Sequence, residues 1–541
     1  MKKSLTQIIA LSMVSSLVLS ACGSKEDDKG SASPSPSASA STGASATPAK
    51  EKLTLNWMIT VPTNASKLPA ADKDFVKKAI ESKFNVTLNL EYMVWSTTDY
   101  QQKLNMKLAS GDTPDMFQAG GAESNTYILD KAVADMTSYV NEKTMPNYFK
   151  YWVTQDELKR YAVQNVFMRA PVIFNKNQYF SYYVRKDWLD KLGLKIPTSY
   201  DEMIEVMKAF TTKDPDGNGK NDTYGLTAAG NQSSIPIDFP EYYKHNRGPG
   251  LFVEGDYFVD SGSSRQMEAI LNDIKKTLAL GVVDPDWFLN KPGQQWDRAA
   301  QGKAGIFFHT NRTAAFDNAA NSVQKMTKDV TGINANWQPF HIEGSNGASY
   351  AALPGTPFMF GAKTPANKIQ RTVEIMDWLV SEEGFLLTHY GQAGVHYTKE
   401  GTNIKIDPAA FKRDITDNGS FLDIYAGIAG NINMGPEPLG LKVIDPNETD
   451  RDRKILDRLA QVKYTLLGTN VSPIPGLDLA AFRTQMRKYQ TQIVFDEKDA
   501  SNWSKYRQDL MTKYQGKALF EGYAEQVGKA IGKSLKFDSA P

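Results

Sequence analysis

Residues 52–61 read KLTLNWMITV, with Leu53, Leu55, Trp57 and Ile59 on one side of the run and Thr54, Asn56 and Met58 on the other. This alternation predicts a strand that turns one face to a core. Working outward, a helix is expected over Ala71–Lys83, and VTLNLEYMVW at 86–95 reads as a second strand. TTDYQQKLNMKLASGDTPD lays Tyr100, Leu104 and Leu108 along one helical stripe, closed by Gly111 and Pro114. DMFQAGG at 115–121 reads as a short strand entering a glycine turn. Strand, helix, strand, helix, strand predicts a parallel α/β sheet. Such sheets bind ligands outside the carboxyl ends of their strands, here the loops Thr60–Ser66, Trp95–Thr98 and Ala119–Asn125.

A second block opens at Phe167 with FMRAPVIFNKNQYFSYYVRKDWLDKLGLKIPTSYDEMIEVMKAF. There Pro197 and a candidate cap, Thr198, precede a helix whose Met203, Val206, Met207 and Phe210 share a face. The 541 residues have room for two or three domains, and no repeat of solenoid period is visible. Lys and Arg total 62 against 61 Asp and Glu, without the basic excess of a nucleic-acid binder.

The chain has one cysteine, Cys22, so the body holds no disulfide, zinc–thiolate site or cysteine nucleophile. Lys2 and Lys3 precede an apolar run, Ile8 to Leu19, that is too short to span a bilayer. The run ends in Leu19-Ser20-Ala21-Cys22, which resembles the lipobox of bacterial lipoproteins. The resemblance implies a signal peptide over 1–21, cleavage before Cys22, and diacylation of its thiol (palmitate-type chains), which holds the chain at the outer face of the cell membrane. More than one acyl chain anchors stably. Residues 22–50 are rich in Ser, Ala, Pro and Gly and read as a flexible tether, with a reach of roughly 30 Å.

Three longer stretches carry a family resemblance: YYVRKDWLDKLGLKIPTSYDEMIEVMKAFTTKDPDGNGKNDTYGL, QGKAGIFFHTNR (301–312) and TVEIMDWLVSEEGFLLTHYGQAGVHYT (372–398). They resemble the large extracellular solute-binding lipoproteins of bacterial ABC importers, in particular the alginate-oligosaccharide-binding branch. The resemblance implies an α/β, two-lobed periplasmic-binding-protein-like fold with a hinged interlobe cleft. Mapped here, residues 51–170 and 358–410 form an N-lobe, and 171–357 and 411–541 a C-lobe. Crossovers are expected near Met168–Phe174 and Leu353–Phe360. The implied function is capture of an oligosaccharide by a monomer and its delivery to ABC permease subunits, with no catalysis.

KDPDGNGKNDTYG, from Lys213 to Gly225, places Asp214, Asp216, Asn218, Lys220 (through its carbonyl) and Asp222 at positions 1, 3, 5, 7 and 9 of an EF-hand-like loop, with Gly219 at the turn. Position 12 is Gly225, so the bidentate glutamate is missing. The alginate-binding relatives have an acid directly after the last aspartate; here that residue is Thr223. Three carboxylates in nine residues would repel one another without a cation, so a structural Ca²⁺ is expected, against the alternative of a plain polar turn.

Nine tryptophans and 24 tyrosines offer flat surfaces for sugar rings. Candidate ligand contacts are Trp95, Glu123, Trp287, Trp296, Asn311, Arg312 and Trp337, whereas Trp57, Trp188 and Trp378 sit where packing residues belong. The five histidines show no HExxH spacing, and no GxSxG elbow or P-loop occurs. A surface-anchored glycosidase or polysaccharide lyase is the alternative reading, since paired carboxylates leave no spacing signature.

Overall fold

The computed structural model describes residues 50–541, apart from 62–65, 95–97, 120, 160, 163–165, 175–177, 249, 320–321, 343–348, 352–356, 431–433, 462–463, 467–470, 472–473, 475 and 540–541. Cys22, the expected signal peptide and all of the expected tether but Lys50 therefore lie outside the described residues.

The opening alternation builds the first sheet. Strand β1 (Leu53–Val61) lies parallel to β2 (Val86–Val94), in register from Leu53 opposite Val86 to Val61 opposite Val94. On its other side β1 pairs in parallel with β3 (Met116–Gln118), which pairs antiparallel with Phe358–Phe360. Leu53, Leu55, Trp57, Ile59 and Val61 are buried in one core. Met58 is also buried, because helix α2 (Thr98–Ser110) covers the opposite face with Tyr100 and Leu104. Helix α1 (Phe75–Phe84) starts at Asp74, whose carboxylate accepts from Lys77 N, and stops where Asn85 turns left-handed at φ 49°.

The second sheet has the order Trp337–Phe340, Ser181–Arg185, Ala304–His309, Tyr224–Leu226. Both of its central strands are buried end to end, as expected for a sheet covered on two faces. Tyr182, Val184, Ile306 and Phe308 face one core, and Tyr183, Phe307 and Trp337 another. Helix Tyr200–Thr212 lies flush on this sheet: a Cβ on Gly305 would fall 2.2 Å from the Phe210 ring, and one on Gly225 2.4 Å from Met207 Cβ. Ser199, not Thr198, caps this helix by accepting from Glu202 N, while Thr198 bonds the Glu202 carboxylate.

The chain passes between the cores of the two sheets more than twice. Ala170, Val172, Ile173 and Phe174 still pack in the first core, so the first crossing comes later than expected, between Phe174 and Tyr182. The second lies between Ile342 and Phe358. The expected lobe boundary at 410 is also displaced. Ile415, Phe421, Leu422, Ile424, Tyr425 and Ile428 belong to the first core, where helix Leu422–Ala429 packs against β1 and the Tyr425 hydroxyl donates to Asp74 Oδ2 at 2.6 Å. The passage back comes before Ile455, which packs with Trp337. A three-stranded sheet of Tyr464–Leu466, Ser349–Ala351 and Gln178–Tyr179 joins segments that run between the cores.

Candidate functional site

The carboxyl ends of the parallel strands define two rims, one on each sheet. On the first, Gln118 closes β3 and its side-chain oxygen accepts from Thr60 N at 2.9 Å, which ties the ends of β1 and β3. Trp95 lies outside the described residues. Glu123 sits in the first turn of a helix, Gly121–Leu129, where the sequence suggested a loop. Beside that helix Arg169 is buried, reaching Ser124 Oγ and Tyr161 O at 3.3 Å each, with its guanidinium 5.1 Å over the Tyr161 ring. Burial lowers its pKa. Nothing in the local pattern around Arg169 singles it out.

On the second rim, the register sets Ser181 opposite His309. Ser181 Oγ lies 2.8 Å from His341 Nε2. Trp296, half-buried on helix Gln294–Ala300, stacks on His309 with ring centroids 3.9 Å apart, and its indole donates to Phe308 O at 3.0 Å. Asn311 N donates to His309 Nδ1 at 2.8 Å, so the ring is the neutral tautomer protonated on Nε2. Burial pushes the pKa of both His309 and His341 down to about 4. Neither histidine was singled out by sequence, because only strand pairing brings them to this edge.

The other candidates divide. Asn311 holds its own turn: Oδ1 accepts from Thr313 N and Oγ1, each at 3.0 Å. Arg312 pairs at 3.4 Å with Glu437, and both line a cavity of about 940 Å³ with Tyr390, Asn403 and Glu448. Glu437 opens a turn ending at Leu439, which packs on the first core, so the pair links elements seated on different cores. Two expectations need correction. Trp337 is fully buried as the first residue of its strand, donating to Thr327 Oγ1 at 3.0 Å, and has no face for a ligand. Trp287 is likewise core, edge-on to Phe239 and stacked under Phe495.

In the 214–222 loop, Asp214 Oδ1 accepts from Gly217 N and Asn218 N, and Oδ2 from Gly219 N, at 2.9 to 3.0 Å. The Asn218 amide donates to Asp216 Oδ2 at 2.9 Å and Asp222 Oδ1 at 3.0 Å, a hydrogen-bond donor between two carboxylates. Burial, the hydrogen bond shared with Asp214 and the charges of Asp214 and Asp222 raise the Asp216 pKa. Among the described residues no three His, Cys, Asp or Glu side chains are already drawn together as a metal-holding group. Thr223 is buried with its hydroxyl donating to Phe210 O, and so is turned away from the loop.

Residues 40–398 match the family model described as bacterial extracellular solute-binding protein. The chain belongs to that family. This solute-binding protein is 26% identical over 379 residues to the polygalacturonan/rhamnogalacturonan-binding protein YtcQ of Bacillus subtilis, covering 64% of this chain and 67% of that one. It is 26% identical over 324 residues to the fructooligosaccharide ABC transporter substrate-binding protein FusA of Streptococcus pneumoniae, 57% of each chain. Two solved structures support the fold. An HMO-binding, ABC-transporter-associated solute-binding protein from Bifidobacterium longum infantis superposes at TM-score 0.65 and 17% identity, over 90% of this chain and 100% of that one. A FusA EF-hand mutant in complex with fructo-nystose superposes at TM-score 0.56 and 16% identity, over 88% and 98%. No helix among the described residues is long and apolar enough to cross a membrane.

Proposed function

We propose that this solute-binding protein captures an oligosaccharide between its two α/β cores and releases it, chemically unchanged, to an ABC permease. The observation that carries the reading is the pairing of two independently packed sheets through a small sheet of connecting strands. Such a joint lets two rigid bodies hinge, and ligand contact with both favours the closed state. On the second rim, half-buried Trp296 stacks on buried His309, near buried Ser181 and half-buried His341, an apolar ring among polar groups of the kind that a sugar's CH face and hydroxyls require. The saccharide ligands named for YtcQ and FusA support the class. Acylation at Cys22 would moor the chain outside the cell, and the tether would let the body swing.

The 214–222 loop fits Ca²⁺ in donor type: Asp214, Asp216, Asn218, the Lys220 carbonyl and Asp222 would hold it, displacing the amide donor between the carboxylates. Bound there, the ion would supply structural charge neutralisation and no chemistry. The EF-hand named for FusA supports this assignment.

Titration calorimetry of the full chain with a panel of plant and bacterial oligosaccharides, followed by product chromatography, tests the reading. Saturable heat with intact ligand recovered is the expected result. Cleaved ligand would establish the glycosidase or lyase alternative, and silence across the panel would refute carbohydrate capture.

A further inference from the structure

A smaller cavity, about 210 Å³, lies apart from both rims. Its walls include the strand Tyr257–Asp260, the turn Ser261–Ser263 and the final strand Lys536–Phe537. Arg507 lines it and is only 2% exposed. Its Nε donates to Ser263 O at 2.8 Å and Nη2 to Asp538 O, whereas Nη1 is buried with no hydrogen-bond partner among the described residues. Arg247, on the same wall and 9% exposed, has a buried Nε that is also without a hydrogen-bond partner among the described residues.

The neighbouring acids are already matched. Arg483 grips Asp260 through two contacts of 2.7 Å, and Ser263 donates to the same carboxylate. Asp538 pairs with Arg265 at 3.0 Å, and Glu254 with Arg247 at 3.1 Å. Arg507 feels the charges of Asp538 and Asp260, but among the described residues its hydrogen bonds go only to main-chain oxygens, while those two carboxylates are in contact with other arginines. A buried guanidinium nitrogen left without a hydrogen bond is costly. Carbonyl dipoles orient a guanidinium but do not neutralise it.

We propose that this cavity binds a small oxyanion, a carboxylate or phosphate group on a body no larger than a monosaccharide, with Arg507 as its counter-charge and Arg247 as a second donor. Guanidinium forks match both groups. A liquid water occupies about 30 Å³, so a cavity of about 210 Å³ has room for phosphate or a single sugar acid. Phe258, Phe537 and Tyr257 give it an apolar side that a bare ion does not need. The lining shares no residue with either rim, so the anion would bind apart from both.

The test is a thermal-shift series on the full chain in sodium phosphate, sodium galacturonate and sodium chloride at equal ionic strength. Phosphate or galacturonate, but not chloride, is expected to raise Tm saturably by about 2 °C or more, and the more effective anion identifies the carrier of the charge. Arg507→Gln should abolish the rise, and its Tm in chloride should not fall below the wild-type value, because a buried and incompletely paired charge has been removed. If that variant fails to fold, Arg247→Gln should weaken the shift, and equilibrium dialysis of the wild type should count about one phosphate or galacturonate per chain. An equal rise in chloride, a rise undiminished in both variants, or no rise with either anion overturns the proposal. Because oligosaccharide binding is measured separately, a failure here leaves the capture reading intact.

Discussion

Trp296 and Trp337 carry the same side chain in opposite settings. Trp296→Ala removes a half-buried platform and unstacks His309. It is expected to weaken oligosaccharide binding by roughly tenfold or more, with a stability loss of about 1 kcal/mol. Trp337→Ala empties a fully buried site and should cost about 3–5 kcal/mol in urea denaturation, with affinity unchanged wherever the variant is folded. The two histidines of the rim give a pH signature. Burial holds both near pKa 4 in the folded chain, against about 6.5 unfolded. The unfolded state therefore takes up their protons first, and their contribution is complete above pH 6.5 and lost as pH falls toward 4. Buried Asp238, pushed up to about 7, works the other way, gaining stability over the same fall. The difference between wild type and His341→Gln isolates the histidine term: the variant's Tm should fall less between pH 7 and 5. Identical pH profiles would place no titration at His341.

At the scale of elements, Gly305 decides how closely helix Tyr200–Thr212 approaches its sheet. A methyl group 2.2 Å from the Phe210 ring has nowhere to go. Gly305→Ala is expected to destabilise the second core by about 1–3 kcal/mol or more, read as a lower urea midpoint. The 214–222 loop gives the other test: Ca²⁺ should raise the wild-type Tm but not that of Asp216→Ala, and a shift absent from both removes the ion from the account. The legibility of elements follows their periodicity. β1, β2, α2 and the 200–212 helix could be read because each presents one repeating apolar face, and one sheet and its strand-end rim came with them. Helix Gly121–Leu129 was hidden because its first turn, Gly-Ala-Glu-Ser-Asn, carries turn formers and no apolar stripe. Trp337 was misplaced because Asn334 and Asn336 look like a loop, whereas burial depends on antiparallel pairing with Tyr182–Arg185 far away in sequence. The helix Leu422–Ala429 is apolar on most sides, and nothing local says which core receives it.

For the whole molecule, the decisive question is what Arg312 does across the two cores. It is partly exposed and meets Glu437 at 3.4 Å, and an ion pair of that kind contributes about 0–1 kcal/mol. If its role is confined to linking the two bodies, Arg312→Ala and Glu437→Gln remove the same interaction. Both should then shift the open–closed balance equally and change oligosaccharide affinity by less than about fivefold. If Arg312 also reaches the ligand, its loss adds a direct contact, and Arg312→Ala should weaken binding by roughly tenfold or more while Glu437→Gln stays within a few-fold. Scattering provides the independent axis. Ligand should shrink the radius of gyration in wild type and in Glu437→Gln alike, because closure is driven by contacts to both rims rather than by one surface pair. A radius that is unchanged at saturating ligand, with binding confirmed by calorimetry, would mean that the two cores act as one fixed body, and the hinge would have to be abandoned while the binding site stood.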